Sequence, residues 1–383
     1  MIDCAVIGGG PVGLVFAILN HSNQNKIQIF EAKKCNALYQ DSRALALSNG
    51  SRLILEEIGV WERLKKNITN INRIHTSQVN SFGRTLLEAK EFNEKSLGFI
   101  VSYGDLMKTL IEKIEKLNNV EVIYETKVTK CFDDKSLIHL SLQNKNETKV
   151  FQSNLVILAD GANDKIEGLE LQKKIKPLNH SAIVTKVSTE LPHQNTAYER
   201  FTDEGPIALL PNKNNKFSLV WTGPNEHIDK LANLNEKSFL IQLHKSFGDR
   251  VGNFKECEKR ISFHLKHSSV SVLHPNIVAL GNASQTMHPV AGQGLNTGFK
   301  DAYKLNKAIK KFNDDKDLQS ILDGYKKSRS GEQRKILDFT EILVNGFSSD
   351  LVGLKKVRGF ALSFLDITKP IKNSFVRKLS YGE

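Results

Sequence analysis

The first thirty-one residues constrain the fold of this chain more than any other stretch. Residues 2–7 form a short apolar run that leads into Gly8-Gly9-Gly10-Pro11-Val12-Gly13. An apolar helical pattern follows through Leu14, Phe16, Ala17, Ile18 and Leu19. A second strand over 26–30 then ends at Glu31, 18 residues beyond Gly13. The glycines have separate tasks in such a unit: Gly8 makes the tight turn, Gly10 lets a pyrophosphate approach the backbone, and Gly13 lets helix and strand pack closely. Glu31 stands where an acid accepts hydrogen bonds from an adenosine ribose. A lone G-x-G-x-x-G is weak, but strand, glycines, helix, strand and terminal acid together predict a Rossmann-type α/β unit holding a dinucleotide. The fingerprint alone does not separate NAD from FAD.

A second constraint lies far downstream, in residues 277–298, IVALGNASQTMHPVAGQGLNTG. The apolar run 277–280 reads as a buried strand that empties into a loop. That loop holds Gly281, Gly292, Gly294 and Gly298 in 18 residues, with Pro289 among them. From Leu295 the pattern turns helical through Phe299, Ala302, Leu305 and Ala308. A glycine-rich loop feeding a helix N-terminus offers backbone N–H groups and a positive dipole end to phosphate or to a partly anionic ring. Turn formation alone is a weak explanation for so long a loop.

This loop resembles the second flavin-binding motif of the single-component flavin aromatic hydroxylases, the p-hydroxybenzoate hydroxylase-like family. The family pattern is GD-A-A-H, a proline, then G-x-G-x-N. Here Asn282 replaces the usual Asp and Gln285 stands where many members have His. Within the family, G-N-A-x-Q-T-x-H-P is most similar to the ubiquinone-biosynthesis branch, and in particular to the 2-octaprenyl-6-methoxyphenol hydroxylases. Two further segments carry the resemblance. Asp41-Ser42-Arg43-Ala44-Leu45-Ala46-Leu47-Ser48 matches the segment whose arginine lies over the cofactor, and Tyr198–Pro211 matches an E-R-F-T-x-x-G-P-x-A-L-L-P run near flavin and substrate. A solvated strand face is the plain alternative for Glu199 and Arg200. The segment Ala159-Asp160-Gly161-Ala162-Asn163 matches the family's Asp-Gly motif, which contacts FAD and the reduced nicotinamide; Lys165 and Ile166 occupy the region where the family carries an arginine.

The resemblance implies FAD as cofactor, NAD(P)H as reductant, and transfer of one oxygen atom from O2 to an electron-rich phenol. It implies cofactor contacts at Gly8, Gly10, Gly13, Glu31, Arg43, Asp160, Gly161, Gly281, Asn282, Gly292, Gln293, Gly294, Leu295 and Asn296. Pro289, His288 and Gly292 would lie at the reacting edge. His288 is equally well explained as a structural histidine before a proline. A flavin-binding subunit with little turnover, or a hydroxylase of another ring position, stays open beside the polyprenylated-phenol reading.

The remainder of the chain is read for organisation. Amphipathic helices are expected over 51–58 and 106–117, and strands over 119–125, 137–143 and 151–158. Between about 175 and 267 short alternating runs separated by turn residues replace the βαβ character. We therefore expect a discontinuous FAD-binding domain over 1–72, 98–174 and 268–340. A mainly antiparallel β-sheet substrate domain would comprise 73–97 and 175–267, and a helical C-terminal tail 341–383. That tail is apolar over 343–365 but broken by Asp350, Lys355, Lys356 and Arg358. Core packing, a partner or a membrane surface would each account for it.

Length supports two domains, since 383 residues exceed one ordinary core. The net charge of +12 is spread along the chain with acids interspersed and no basic run with aromatics. Nucleic acid is therefore not an expected partner, whereas other ubiquinone-biosynthesis proteins and peripheral contact with an anionic membrane remain open. Cys4, Cys35, Cys131 and Cys257 show no metal-ligand or redox spacing, so no metal is expected. Four such thiols and no visible signal peptide point to the cytoplasm, with attachment at the inner membrane face as the variant.

Overall fold

The computed structural model describes residues 3–22, 25–79, 83–134, 137–145, 147–161, 165–286, 292–311, 317–332 and 369–381. At its centre is a five-stranded parallel sheet. Strands Ile277–Ala279, Leu155–Leu158, Cys4–Ile7, Ile27–Phe30 and Val120–Ile123 lie side by side in that order. Its central strands are buried on both faces, which is why they read as unbroken apolar runs. Alternation sorts their side chains between two cores. Val6, Ile29, Ile157 and Val278 face helices Pro11–Asn20, Tyr103–Ile114 and Gln293–Ile309. Ala5, Ile7, Phe30, Val156 and Leu158 face a three-stranded antiparallel meander, Thr126–Asp134, Leu137–Asn144 and Glu147–Ser153.

The stretch read from sequence as one strand over 151–158 is in fact two. Its first part closes the meander and its second, Leu155–Leu158, enters the parallel sheet. Ser153 marks the break: its hydroxyl donates to the carbonyls of Asp3 (2.8 Å) and Leu155 (2.7 Å) and accepts the N–H of Ala5. Those bonds satisfy backbone groups where the chain changes sheets.

The second large layer is a nine-stranded sheet. Along its path run Gln285–Thr286, Ile261–Val272, Leu171–Thr189, Lys216–Pro224, Pro206–Pro211, Thr196–Phe201, Arg73–Gln78 and Arg84–Glu88, and Phe254–Cys257 pairs with Leu171–Thr189. All its pairings are antiparallel except Thr196–Phe201 with Arg73–Gln78. Its outer face presents Ile183, Leu209, Phe217, Leu219 and Trp221 to helices Asn225–Asn233 and Glu236–Phe247, which contribute Ile228, Phe239, Leu243 and Phe247. The inner face is left for the cavity described below. The expected architecture, a Rossmann-type α/β unit joined to a mainly antiparallel sheet, is borne out.

A small sheet, Ala44–Leu47 with Gly98–Ser102 and Thr69–Ile71, joins the two layers. Helix Lys369–Tyr381 belongs to the expected helical tail. Its Val376 packs with Leu87, Ala89 and Leu97, and Lys372 pairs with Glu91 at 2.8 Å. Residues 341–368 of that tail lie outside the described residues. No described helix is long and apolar enough to cross a membrane.

Candidate active site

One cavity of about 1120 Å³ runs between the C-terminal edge of the parallel sheet and the inner face of the nine-stranded sheet. It exceeds the ~300–1,000 Å³ of ordinary small-ligand pockets, leaving room for an extended dinucleotide and a second ligand. Helices Pro11–Asn20 and Gln293–Ile309 both begin in its wall. Their N-cap residues are Gly10 and Gly292, neither start is capped by a side chain, and neither first turn carries an acid. The glycine N-caps thus supply no side-chain acceptor to the first turn of either helix. Two such helix ends on one cavity suit a ligand with anionic groups at two places.

At the fingerprint end, Gly8 adopts φ +107°, and a Cβ there would stand 2.7 Å from the backbone of Ala159. A Cβ on Gly13 would meet the Gly8 carbonyl at 2.2 Å, so this glycine serves the turn's packing from behind the wall. Gly10 is different: among the described residues a Cβ there would find only the Tyr103 hydroxyl within 4 Å, at 3.9 Å, so its backbone can be approached from the cavity. Glu31 is buried at 9% exposure, and its two oxygens accept the N–H groups of Gly9 (2.9 Å) and Lys33 (2.8 Å). Each oxygen keeps a second lone pair for a ligand hydroxyl.

Arg43 lines the cavity with its guanidinium held by Asp41 at 2.6–2.9 Å and set 5.3 Å from the centroid of the Tyr103 ring. Burial raises the Asp41 carboxyl, but the hydrogen bonds from Arg43 outweigh it and hold the group below its usual range. Burial first, and Glu31 second, push the Tyr103 hydroxyl up to about 12, so it stays a donor. Asp160 and Gly161 line the wall at the end of strand Leu155–Leu158.

At the glycine-loop end, Gly292 has φ +59°, and a Cβ there would approach that of Ala46 to 2.9 Å. Gly281 lies behind the wall: its N–H donates to buried Asp301 at 3.0 Å, and it packs with Gly298 against Val12. Asn282 reaches the cavity beside Gly294, and Gln293, Leu295 and Asn296 complete this side. Of the residues expected from sequence, twelve thus share one cavity wall, while Gly13 and Gly281 support it. Pro289 and His288 lie outside the described residues. Sequence reasoning did not single out Lys33, Tyr103 or residues 126–128, which also line the wall. Tyr103 follows the helix-capping Ser102, a legible helix start, but nothing local announces that its strand pairs with Ala44–Leu47.

The wall therefore combines a tight glycine turn, a buried acid with lone pairs to spare and a second helix end whose N-cap is a glycine. The sequence profile of the family described as FAD binding domain matches residues 1–340. The chain belongs to this FAD binding family. Uncharacterized protein slr1300 of Synechocystis sp. is 30% identical to it over 384 residues, covering 99% of this chain and 92% of that one. Ubiquinone hydroxylase UbiL of Rhodospirillum rubrum is 26% identical, covering 98% and 88%. Among solved structures, p-nitrophenol 4-monooxygenase PnpA from Pseudomonas putida shares the fold at a TM-score of 0.82 over 99% of both chains, with 14% identity.

FAD is accordingly the cofactor, NAD(P)H the reductant, and the protein is a flavin-dependent monooxygenase. The residues present fit an FAD. The Gly8 and Gly292 positions have no room for a side chain, and Gly10 is open where a pyrophosphate must come close. Asn282 differs from the family's acid but supplies an amide oxygen that can accept a hydroxyl hydrogen bond without adding charge.

Beyond the glycine-loop end the wall changes character. Ile71, Ile74, Leu87, Ala197, Phe201, Leu210, Val220 and Phe263 make it apolar, with Thr76, Thr85, Thr222 and Glu199 among them. Glu199 is half-buried, and its remaining surface faces this cavity; burial pushes its carboxyl up to about 7.

Proposed function

We propose that this monooxygenase hydroxylates a polyprenylated phenol in ubiquinone biosynthesis with NAD(P)H and O2, at the 2-polyprenyl-6-methoxyphenol step. The observation that carries the proposal is the continuity of the cavity from the fingerprint glycines onto the apolar inner face of the nine-stranded sheet. A phenol ring with an isoprenoid tail needs such a surface beside the flavin. Similarity to a ubiquinone hydroxylase over nearly the whole chain supports the same substrate class. The mouth of the cavity includes Ile371, 45% exposed on the basic helix Lys369–Tyr381, which suits delivery of a lipid-like substrate from an anionic membrane surface.

In this proposal residues 1–72, 98–174 and 268–340 hold FAD and 73–97 with 175–267 hold the phenol. Gly8, Gly10 and the start of helix Pro11–Asn20 would hold the pyrophosphate, Glu31 the adenosine ribose, and Arg43 a phosphate oxygen. Asp160 and Asn282 would meet the ribityl region. The N–H groups of Gln293–Asn296, with their helix dipole, would favour negative charge on the reduced ring. When bound, FAD supplies the electron transfer and oxygen activation, and the chain supplies orientation and exclusion of water. The test is incubation of the FAD-loaded protein with a 2-methoxy-6-prenylphenol, NAD(P)H and labelled O2. One labelled oxygen in the ring is expected. NAD(P)H oxidation that the phenol does not stimulate, with no hydroxylated product, would refute it.

A further inference from the structure

The inner face of the nine-stranded sheet carries a cross-strand row of Thr85, Thr76, Glu199, Ala208, Val220 and Val184. Glu199 is the one charged side chain in that row. Its neighbours Ala197 and Phe201 line the cavity, and Tyr198 borders it too, although its ring packs against Phe217 and Phe247 of the outer face. Alternation along the strand thus aims the Glu199 carboxylate inward. Among the described residues none donates a hydrogen bond to it or pairs with it, and burial raises its proton affinity. The other charged groups of the wall, Glu31, Lys33, Arg43, Lys127 and Asp160, come from other elements: the ends of two parallel-sheet strands, the segment before strand Ala44–Leu47 and the meander. Arg200, next in sequence, projects from the opposite face, where it donates to Ser77 at 3.2 Å.

A carboxylate held without a partner in an apolar wall is costly, so a ligand donor is the group it should meet. We propose that Glu199 is a catalytic residue that takes the hydroxyl proton of the phenol; this rests on the phenol-hydroxylase reading above. The substrate O–H bond breaks and the proton moves to the Glu199 carboxylate. The electron pair left on oxygen delocalises into the ring and enriches the ring carbons conjugated with it. One of those carbons bonds to an oxygen atom from O2, and the other oxygen leaves as water with electrons from NAD(P)H. The substituted carbon then loses its hydrogen as a proton, the ring regains aromaticity, and Glu199 returns its proton to the substrate oxygen. Overall, phenol, O2, NAD(P)H and a proton give the dihydric phenol, water and NAD(P)+. A base poised near neutral pH suits this exchange, because it takes and returns the proton with little loss either way.

The test compares FAD-loaded wild type, Glu199→Gln and Glu199→Asp, with flavin absorbance reporting that each holds the cofactor. Binding is titrated with 2-methoxy-6-prenylphenol and with its methyl ether, which has no hydroxyl proton. Wild type should prefer the phenol about tenfold or more, the worth of a charge-assisted hydrogen bond. Glu199→Gln should bind the two alike, with unchanged affinity for the ether. Its kcat/KM for hydroxylation should fall about a hundredfold, and the inflection near pH 7 should vanish. Glu199→Asp should restore the inflection at reduced kcat.

Wild-type discrimination and pH profile retained in Glu199→Gln would overturn the proposal. A wild type that ignores the prenylated compound but hydroxylates 2-methoxyphenol, with the same dependence on Glu199, would refute the polyprenyl reading and support the role of Glu199. A wild type that binds no phenol would overturn both.

Discussion

Asn296 and Ser48 lie 248 residues apart in the chain and are joined by a 2.9 Å hydrogen bond from the Ser48 N–H to Asn296 Oδ1. The same oxygen accepts from the Ser51 hydroxyl at 2.6 Å, while Nδ2 donates to the carbonyls of Ala46 (3.0 Å) and Gly292 (2.8 Å). All four bonding positions of the amide are used by the protein. The side chain therefore clamps the glycine loop to strand Ala44–Leu47, which leaves only the backbone of Asn296 for a ligand.

Asn296→Ala should loosen that clamp. It takes the acceptor from the Ser48 N–H and the Ser51 hydroxyl and one donor from each of two carbonyls at a largely buried position, a cost of ~2–4 kcal/mol. Urea unfolding followed by release of flavin fluorescence should show a lower midpoint and weaker FAD retention. An unchanged midpoint would mean that the loop is held by other contacts.

The fingerprint glycines should separate by function. Gly13→Ala drives a Cβ to 2.2 Å from the Gly8 carbonyl and should cost ~3 kcal/mol or more through backbone displacement. Gly10→Ala meets nothing closer than 3.9 Å and should leave stability within ~0.5 kcal/mol of wild type. Its methyl group nevertheless enters the space in which we propose the pyrophosphate, so FAD affinity should fall. Normal FAD affinity in Gly10→Ala would place the pyrophosphate elsewhere.

The raised Glu199 carboxyl makes stability depend on pH with a defined sign. Its folded value of about 7 lies above its usual 4.5, so between the two the folded state keeps a proton that the unfolded state has lost. Stability from this group falls as pH rises through that window, and the full penalty applies above it. Glu199→Gln removes the penalty. The variant should exceed wild type by ~1–3 kcal/mol at pH 8 and converge with it near pH 4, read from urea midpoints without substrate. A constant difference across that range would show that the carboxyl is not perturbed.

Asp301 and Arg329 form a buried ion pair, with side chains 0% and 3% exposed. Asp301 also accepts the Gly281 N–H and so ties the glycine loop to the helix at 318–332. Asp301→Ala should cost ~3–5 kcal/mol, since it leaves a buried guanidinium facing a vacated site. The double variant Asp301→Ala/Arg329→Met should cost less than the two single changes summed, as a double-mutant cycle would show. Additive losses would mean that the two groups act independently.

Local chemistry explains what was legible in advance. The turn at Gly8–Gly13, the acid at Glu31 and the helix beginning near Leu295 each follow from residues close together in the chain. Strand Thr196–Phe201 was readable for the same reason, because alternation is a property of neighbours. The strand break after Ser153 was not legible, because it depends on bonds to Asp3 and Ala5 some 150 residues away. Glu199 shows the same limit: a charged residue in an alternating strand looks like a solvated face until the opposing wall is known.

By itself, then, the sequence determined a dinucleotide unit, a glycine loop at a helix start and a change to antiparallel strands, since backbone conformation and periodicity are set over a few residues. The tertiary structure decided that the two helix starts with glycine N-caps share one cavity, that the Asn296 side chain is held by the protein, and that Glu199 faces inward. These depend on contacts between segments as far as 250 residues apart, and long-range packing sets such contacts where local preference cannot.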